Sequence, residues 1–321
     1  MPQNGVEHSA TTAGAAAAVK QRAAFGSGPV GGLFLLTVMG ASWGLTIPLS
    51  KIAVAAGAHP LGLTFWQGAI GGGFLLAVSL LRRRPPPFGR RHLIFYLVCG
   101  ILGSVLPGSL LFWVAIYLPA GVISIAIACV PLFTYALAVS LRIEAPVARR
   151  IAGVAIGLIA VALITLPNTS LPQAGLAPWV VIAVLACAAY ALENVYISLR
   201  KPPRLDPLAA TSGLLLMAAV LMLPLVLAND AWVPLGWPLE RLEWSVVAMA
   251  LASAVAYSLF VYIVAVAGPL FASQVAYLVT IAGVLWGMAL LGERHSYWIW
   301  AALLVMLLGL SLVQPRRRDL A

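Results

Sequence analysis

Glu193 lies in the apolar stretch Ala188-Ala189-Tyr190-Ala191-Leu192-Glu193-Asn194-Val195-Tyr196. It is the only one of the nine acidic residues that falls well inside such a stretch. A carboxylate among apolar neighbours is costly and is kept where it meets a cavity or a partner. On a helix, Tyr190 and Tyr196 are three residues to either side and share its face. The three side chains offer a carboxylate, two hydroxyls and two rings. Such a set can hold an ammonium, exchange a proton or stack on an aromatic ligand. The competing expectation is that Glu193, about five residues past the middle of its run and so roughly 8 Å from it, simply reaches the surface.

Other polar groups suit the same chemistry. Lys51, in the same run as Trp43, offers a fixed charge for a carboxylate, or else it snorkels to the interface. Ser109, Trp113 and Tyr117 recur every four residues, and Ser258 and Tyr262 occupy the matching face of a later run. Those stripes either face a common pathway or pack between helices and in an aromatic belt. Gln274 and Tyr277 share a face and either add polar contacts to the pathway or bond a neighbouring helix. Pro48 and Pro131 each remove a backbone hydrogen bond inside a run, making them hinge candidates or static kinks.

Some chemistry is missing from the sequence. There is no Gly-x-x-x-x-Gly-Lys phosphate loop and no His-Glu-x-x-His. The four histidines, His8, His59, His92 and His295, are scattered over the tail and run ends. Cys99, Cys129 and Cys187 sit in apolar runs and read as small buried hydrophobes. No metal and no cofactor is expected.

The elements that position these groups follow from composition. Of 321 residues, 62% are hydrophobic and 9% charged, against about 45–50% and about 25% in soluble domains. Lipid must be part of the solvent. Ten runs are long enough, or nearly so, to span a bilayer: Leu33–Ala55, Leu61–Leu81, Leu93–Leu118, Gly121–Leu141, Val147–Pro167, Pro178–Leu199, Leu208–Ala228, Trp244–Ala267, Leu270–Leu291 and Trp298–Val313. They are too long, and too uniformly apolar, for β-barrel strands.

The net charge of +10 resides in short loops, which speaks against nucleic acid as a partner. With ten spans and a cytoplasmic N-terminus, sixteen Lys and Arg fall on the cytoplasmic side. Only Lys51, Arg241 and Arg294 fall on the other. That bias places both termini in the cytoplasm of a bacterial inner-membrane protein. Residues 1–28 lack an apolar signal segment and read as a disordered cytoplasmic tail, or alternatively as an amphipathic surface helix.

The chain also repeats itself. Ser109-Leu110 matches Ser258-Leu259 and Glu144 matches Glu293, each 149 residues on. His59-Pro60-Leu61 resembles Asp206-Pro207-Leu208. The expected fold is all-α, with ten transmembrane helices in two five-helix repeats over 30–168 and 176–315. Five is odd, so the second copy is inverted. Inverted repeats are the architecture of secondary transporters, with the substrate between the halves.

Trp43-Gly44 with Pro48 and Lys51, Pro131-Leu132-Phe133-Thr134, Glu144 after the fourth run and Leu291-Gly292-Glu293-Arg294 after the ninth form an ordered set. In that set the chain resembles the drug/metabolite transporter superfamily, in particular its ten-helix EamA-type members, over residues 30–315. It departs from them at Gln67, where members often carry Arg, and at Thr280, where many carry a second Pro. The resemblance implies a central cavity lined by spans 1, 3, 4, 6, 8 and 9. It also implies export of small metabolites by alternating access, amino acids above all, with aromatic amino-acid exporters among the members of this layout. Nucleosides or sugar phosphates are the alternative cargo. A membrane-embedded enzyme and a channel are the alternatives of a different class. The expected partners are a small-molecule substrate and membrane lipid, with the protein a monomer or weak homodimer.

Overall fold

The computed structural model describes residues 29–166, 171, 173, 175–203, 205–267 and 275–313. The expected N-terminal tail, Arg204, Gln274 and the three arginines at 316–318 lie outside the described residues. The described residues form ten helical spans: α1 (Pro29–Ala55), α2 (Pro60–Leu81), α3 (Arg90–Tyr117), α4 (Ala120–Ser140), α5 (Ala148–Thr165), α6 (Ala177–Arg200), α7 (Pro207–Ala228), α8 (Arg241–Ala267), α9 (Val275–Leu291) and α10 (Tyr297–Val313). No strand occurs among the described residues. Eight of the helices are long and apolar enough to cross a membrane, whereas α9 and α10 have 17 residues each.

Equivalent residues start equivalent helices. His59 caps α2, its Nδ1 accepting from Leu61 N at 3.2 Å, with Pro60 in the first helical position. Asp206 caps α7, its Oδ1 accepting from Leu208 N at 3.0 Å, followed by Pro207. A side-chain acceptor satisfies an orphan N–H, and the proline that follows has none to satisfy.

Packing follows the same symmetry. α1 lies against α8 and α9, and its counterpart α6 lies against α3 and α4. α2 pairs with α7, α4 with α9 and α5 with α10. Exchanging the two halves reproduces the pattern, as two inverted five-helix repeats require.

Glycines set the closest approaches. A Cβ on Gly68 or Gly72 of α2 would strike the backbone of α7 at Leu215 and Leu216. One on Gly153 of α5 would meet the carbonyl of Gly309 on α10. Small residues let helices approach where lipid provides no hydrophobic drive. In this protein those glycines pack helix against helix within one chain.

Two proline sites shape the interior. Pro131 removes the N–H that Ile127 O would accept, and α4 breaks at Ala128 into Ala120–Ile127 and Cys129–Ser140. In α3, residues Ile101–Val105 form a π-helical segment. Pro107 follows it and cannot donate to Gly103 O, so the wider turn absorbs the lost bond. Pro48 sits within a continuous α1. All three cysteines are buried and free, as their apolar settings imply.

Candidate functional site

Four helices from both halves converge on Glu193. The residue is 2% exposed and lies about two turns of α6 before the helix end at Arg200. It therefore does not reach the surface. Tyr257 of α8 donates its hydroxyl to Glu193 Oε1 at 2.7 Å. On the other side, Gly103 in the π segment of α3 is where the carboxylate fits, because a Cβ there would overlap it. Trp43, in the middle of α1, meets the edge of Tyr257 at 5.7 Å between centroids and lies 5.5 Å from Phe260. One acid, one phenol and two further rings thus occupy the seam between α1, α3, α6 and α8. An ionised carboxylate this deeply buried needs a strong donor, and a phenol hydroxyl is one.

Sequence reasoning singled out Glu193 and Trp43 but missed Tyr257, Phe260 and Gly103. Tyr257 directly precedes Ser258, which belonged to the repeat match. A Gly-x-x-x-Pro spacing from Gly103 to Pro107 was the available signal for the π segment.

The other expected site residues scatter. Tyr190 is half-buried against the core formed by α3 to α6, α9 and α10, within electrostatic range of Glu193. Tyr196 stacks on Phe95 of α3 at 6.1 Å and 22°, which draws it away from the cluster. Ser109 pairs with Thr64 Oγ1 of α2 at 3.2 Å and lies 4.0 Å from Met222 Sδ of α7. It packs among α2, α3 and α7. Trp113 is exposed and meets His59 edge-on at 5.4 Å, at the end of the bundle. Ser258 donates to Ala254 O within its own helix, and Tyr262 is exposed. Tyr277 is half-buried against the core. The paired stripes on α3 and α8 therefore do not face each other as one polar pathway.

Lys51 has another occupation. Its Nζ donates to Leu118 O at 2.7 Å and Ala115 O at 3.3 Å. These are orphan carbonyls at the C-terminus of α3, where a cation is favoured. The ammonium thus secures a helix end, away from Glu193. Glu293 secures the next helix. Its carboxylate accepts from Ala120 N at 2.6 Å and Gly121 N at 3.1 Å at the start of α4, with His295 Nε2 at 3.7 Å. At the opposite end, Glu144 accepts from Arg150 Nη1 at 2.6 Å. Asn194 of α6 donates to Thr134 of α4 at 3.4 Å, tying the Pro131 segment to the helix that carries Glu193. Among the described residues, no group of three His, Cys, Asp or Glu is placed to hold a metal.

The model of the EamA-like transporter family matches residues 30–166 and again 177–314. No curated protein matches the chain. Nineteen solved chains do. One crystal structure superposes with a TM-score of 0.56 at 19% identity, covering 87% of this chain and 96% of that one, a likeness of fold. Two matches of the family model, one per repeat, on a helical bundle with the symmetry described above place the chain in the EamA-like transporter family of the drug/metabolite transporter superfamily, a multi-pass membrane protein that transports small solutes and is not an enzyme.

Proposed function

We propose that the protein exports amino acids, those with aromatic or apolar side chains foremost, from the bacterial cytoplasm across the inner membrane by alternating access around the Glu193 seam. The observation that carries this reading is the Glu193–Tyr257–Trp43 cluster, which joins both halves inside the bundle. A carboxylate beside a phenol suits an ammonium, and the rings of Trp43 and Phe260 suit an apolar or aromatic side chain. Sugar phosphates fit less well, since the ionisable group in the cluster has their own sign. Glu193 either binds the substrate ammonium or exchanges it for a proton. Pro131 and the π segment supply breaks about which the helices can bend. The sixteen-to-three partition of basic residues supports cytoplasmic termini.

Counterflow into proteoliposomes with a labelled panel of amino acids, nucleosides and sugar phosphates tests the substrate class. Uptake of aromatic amino acids is expected, and uptake confined to phosphorylated sugars would overturn the assignment. Glu193→Gln keeps the shape and loses the charge, so it should fold normally and lose at least about tenfold in transport, the equivalent of roughly 1.4 kcal/mol. Undiminished transport by well-folded Glu193→Gln protein removes the proposed role.

A further inference from the structure

A second polar region lies apart from the Glu193 seam, between the α2–α3 and α6–α7 loops. A cavity of about 800 Å³ opens there. Arg84, His92, Lys201 and Asp206 supply its polar side chains, and most of the remaining wall is proline. Prolines fix φ and carry no N–H, so the wall is stiff and contributes few backbone donors. The cavity is bounded by the ends of α2 at Leu81 and α6 at Arg200 and by the starts of α3 and α7. It therefore sits at the level where a bilayer has its headgroups.

Its charges do not balance. Asp206 is the acid of the cavity, and its Oδ1 is already used to cap α7. Its Oδ2 lies 3.5 Å from Arg84 Nη1, and the arginine side chain is 67% exposed, a loose pairing that contributes little. No acid lies within ion-pair distance of Lys201 among the described residues. Lys201 is an exposed residue whose ammonium is only partly desolvated by the cavity wall, which lowers it below its usual range, and Asp206 partly offsets that. His92 Nδ1 is buried with no hydrogen-bond partner among the described residues. Gly89 leaves the start of α3, two residues before, without a side-chain cap. Two cations, an unused imidazole nitrogen and an uncapped helix start surround one committed carboxylate.

The rim points to the source of the missing anion. Phe88, in the loop between Arg84 and Arg90, is 75% exposed, and Leu81 is 85% exposed. An aromatic ring and aliphatic side chains beside a basic cavity are what an acyl chain and its headgroup meet at an interface.

We propose that this cavity binds the phosphate of an anionic phospholipid headgroup, held by Arg84 and Lys201 with His92 as a further donor. The binding does not depend on which solute the protein carries. The test uses the purified full-length protein in neutral detergent, titrated with phosphatidylglycerol or phosphatidylcholine and followed by native mass spectrometry. The double variant Arg84→Ala/Lys201→Ala should weaken phosphatidylglycerol binding on the order of tenfold and leave phosphatidylcholine unchanged. Arg142→Ala/Arg149→Ala, which removes two charges from the α4–α5 region, should leave both unchanged. His92→Phe, which fills the cavity without removing a fixed charge, should also weaken phosphatidylglycerol binding. Inorganic phosphate at millimolar concentration should not compete. Equal losses in the two double variants would reduce the effect to diffuse surface attraction and overturn the proposal. Pocket-dependent binding of inorganic phosphate that displaces the lipid would make this a site for a soluble phosphate and overturn the lipid assignment.

Discussion

Glu293 and Glu144 stand 149 residues apart, each just beyond the end of a matched helix, and they do different things. Glu293 reaches from the second half into the first and caps α4 with two backbone hydrogen bonds. Its side chain is 11% exposed. Glu144 is 45% exposed and pairs with Arg150, a residue of its own half. The cause lies in how the preceding helices end. After α9, Gly292 takes the left-handed conformation and Glu293 is the very next residue. After α4, Arg142 takes it, Ile143 follows, and Glu144 comes one position later. Gly292 adopts this conformation without a Cβ penalty, whereas Arg142 pays one. One residue of phase aims one carboxylate at the partner repeat and leaves the other in its own loop. Sequence symmetry therefore does not oblige structural symmetry. One end of the bundle is tied across the halves by Glu293 at the start of α4, beside the tie within the first half that Lys51 makes to the end of α3, and the Glu144 pair makes no tie across the halves.

The sharpest way to break this comparison is to remove each acid. Glu293→Ala strips a charged acceptor from two N–H groups and should cost about 2–3 kcal/mol. Glu144→Ala removes a half-exposed ion pair and should cost less than about 1 kcal/mol. Thermal unfolding of the two variants in the same detergent checks it, and equal losses would show that the two ends are alike after all. Next in size is Lys51→Met, which keeps the length of the side chain and frees the carbonyls of Ala115 and Leu118. It should cost about 1–2 kcal/mol, and a loss of transport with no loss of stability would return Lys51 to the substrate path.

A double-mutant cycle on Glu144 and Arg150 should give a coupling below about 1 kcal/mol that shrinks with salt. A larger, salt-independent value would make that end as firmly held as the other. The smallest effect concerns acid. Burial lowers the His295 pKa below its ordinary 6.5, and the nearby Glu293 only partly restores it. A depressed histidine favours the fold in its neutral form, so its contribution is present above pH 6.5 and fades as pH falls through the lowered value. The melting temperature should therefore drop more steeply below pH 6.5 in the native chain than in His295→Gln.

Much of this protein is legible in its sequence. Helix number, the inverted repeat and the family follow from apolar run length and residue spacing. Those features are local, or recur at a fixed offset. The matched His59-Pro60 and Asp206-Pro207 starts are helix caps, written in two adjacent residues. The neighbours of Glu193 were not legible. Tyr257, Phe260 and Gly103 come from α8 and α3, and nothing in a one-dimensional pattern says which face of a uniformly apolar helix looks inward.

The amino-acid sequence alone determined that this chain crosses a bilayer many times in two opposed copies, because the cost of placing charge or unpaired backbone in hydrocarbon leaves no other arrangement. Only the tertiary structure decided which polar groups meet. It took Lys51 to the end of α3, Ser109 to Thr64 and Tyr196 to Phe95, and it brought Tyr257 to Glu193. In lipid every helix face is apolar enough to pack, so contact is settled by where glycines let backbones close and where a proline or a helix end leaves a group that another segment must satisfy.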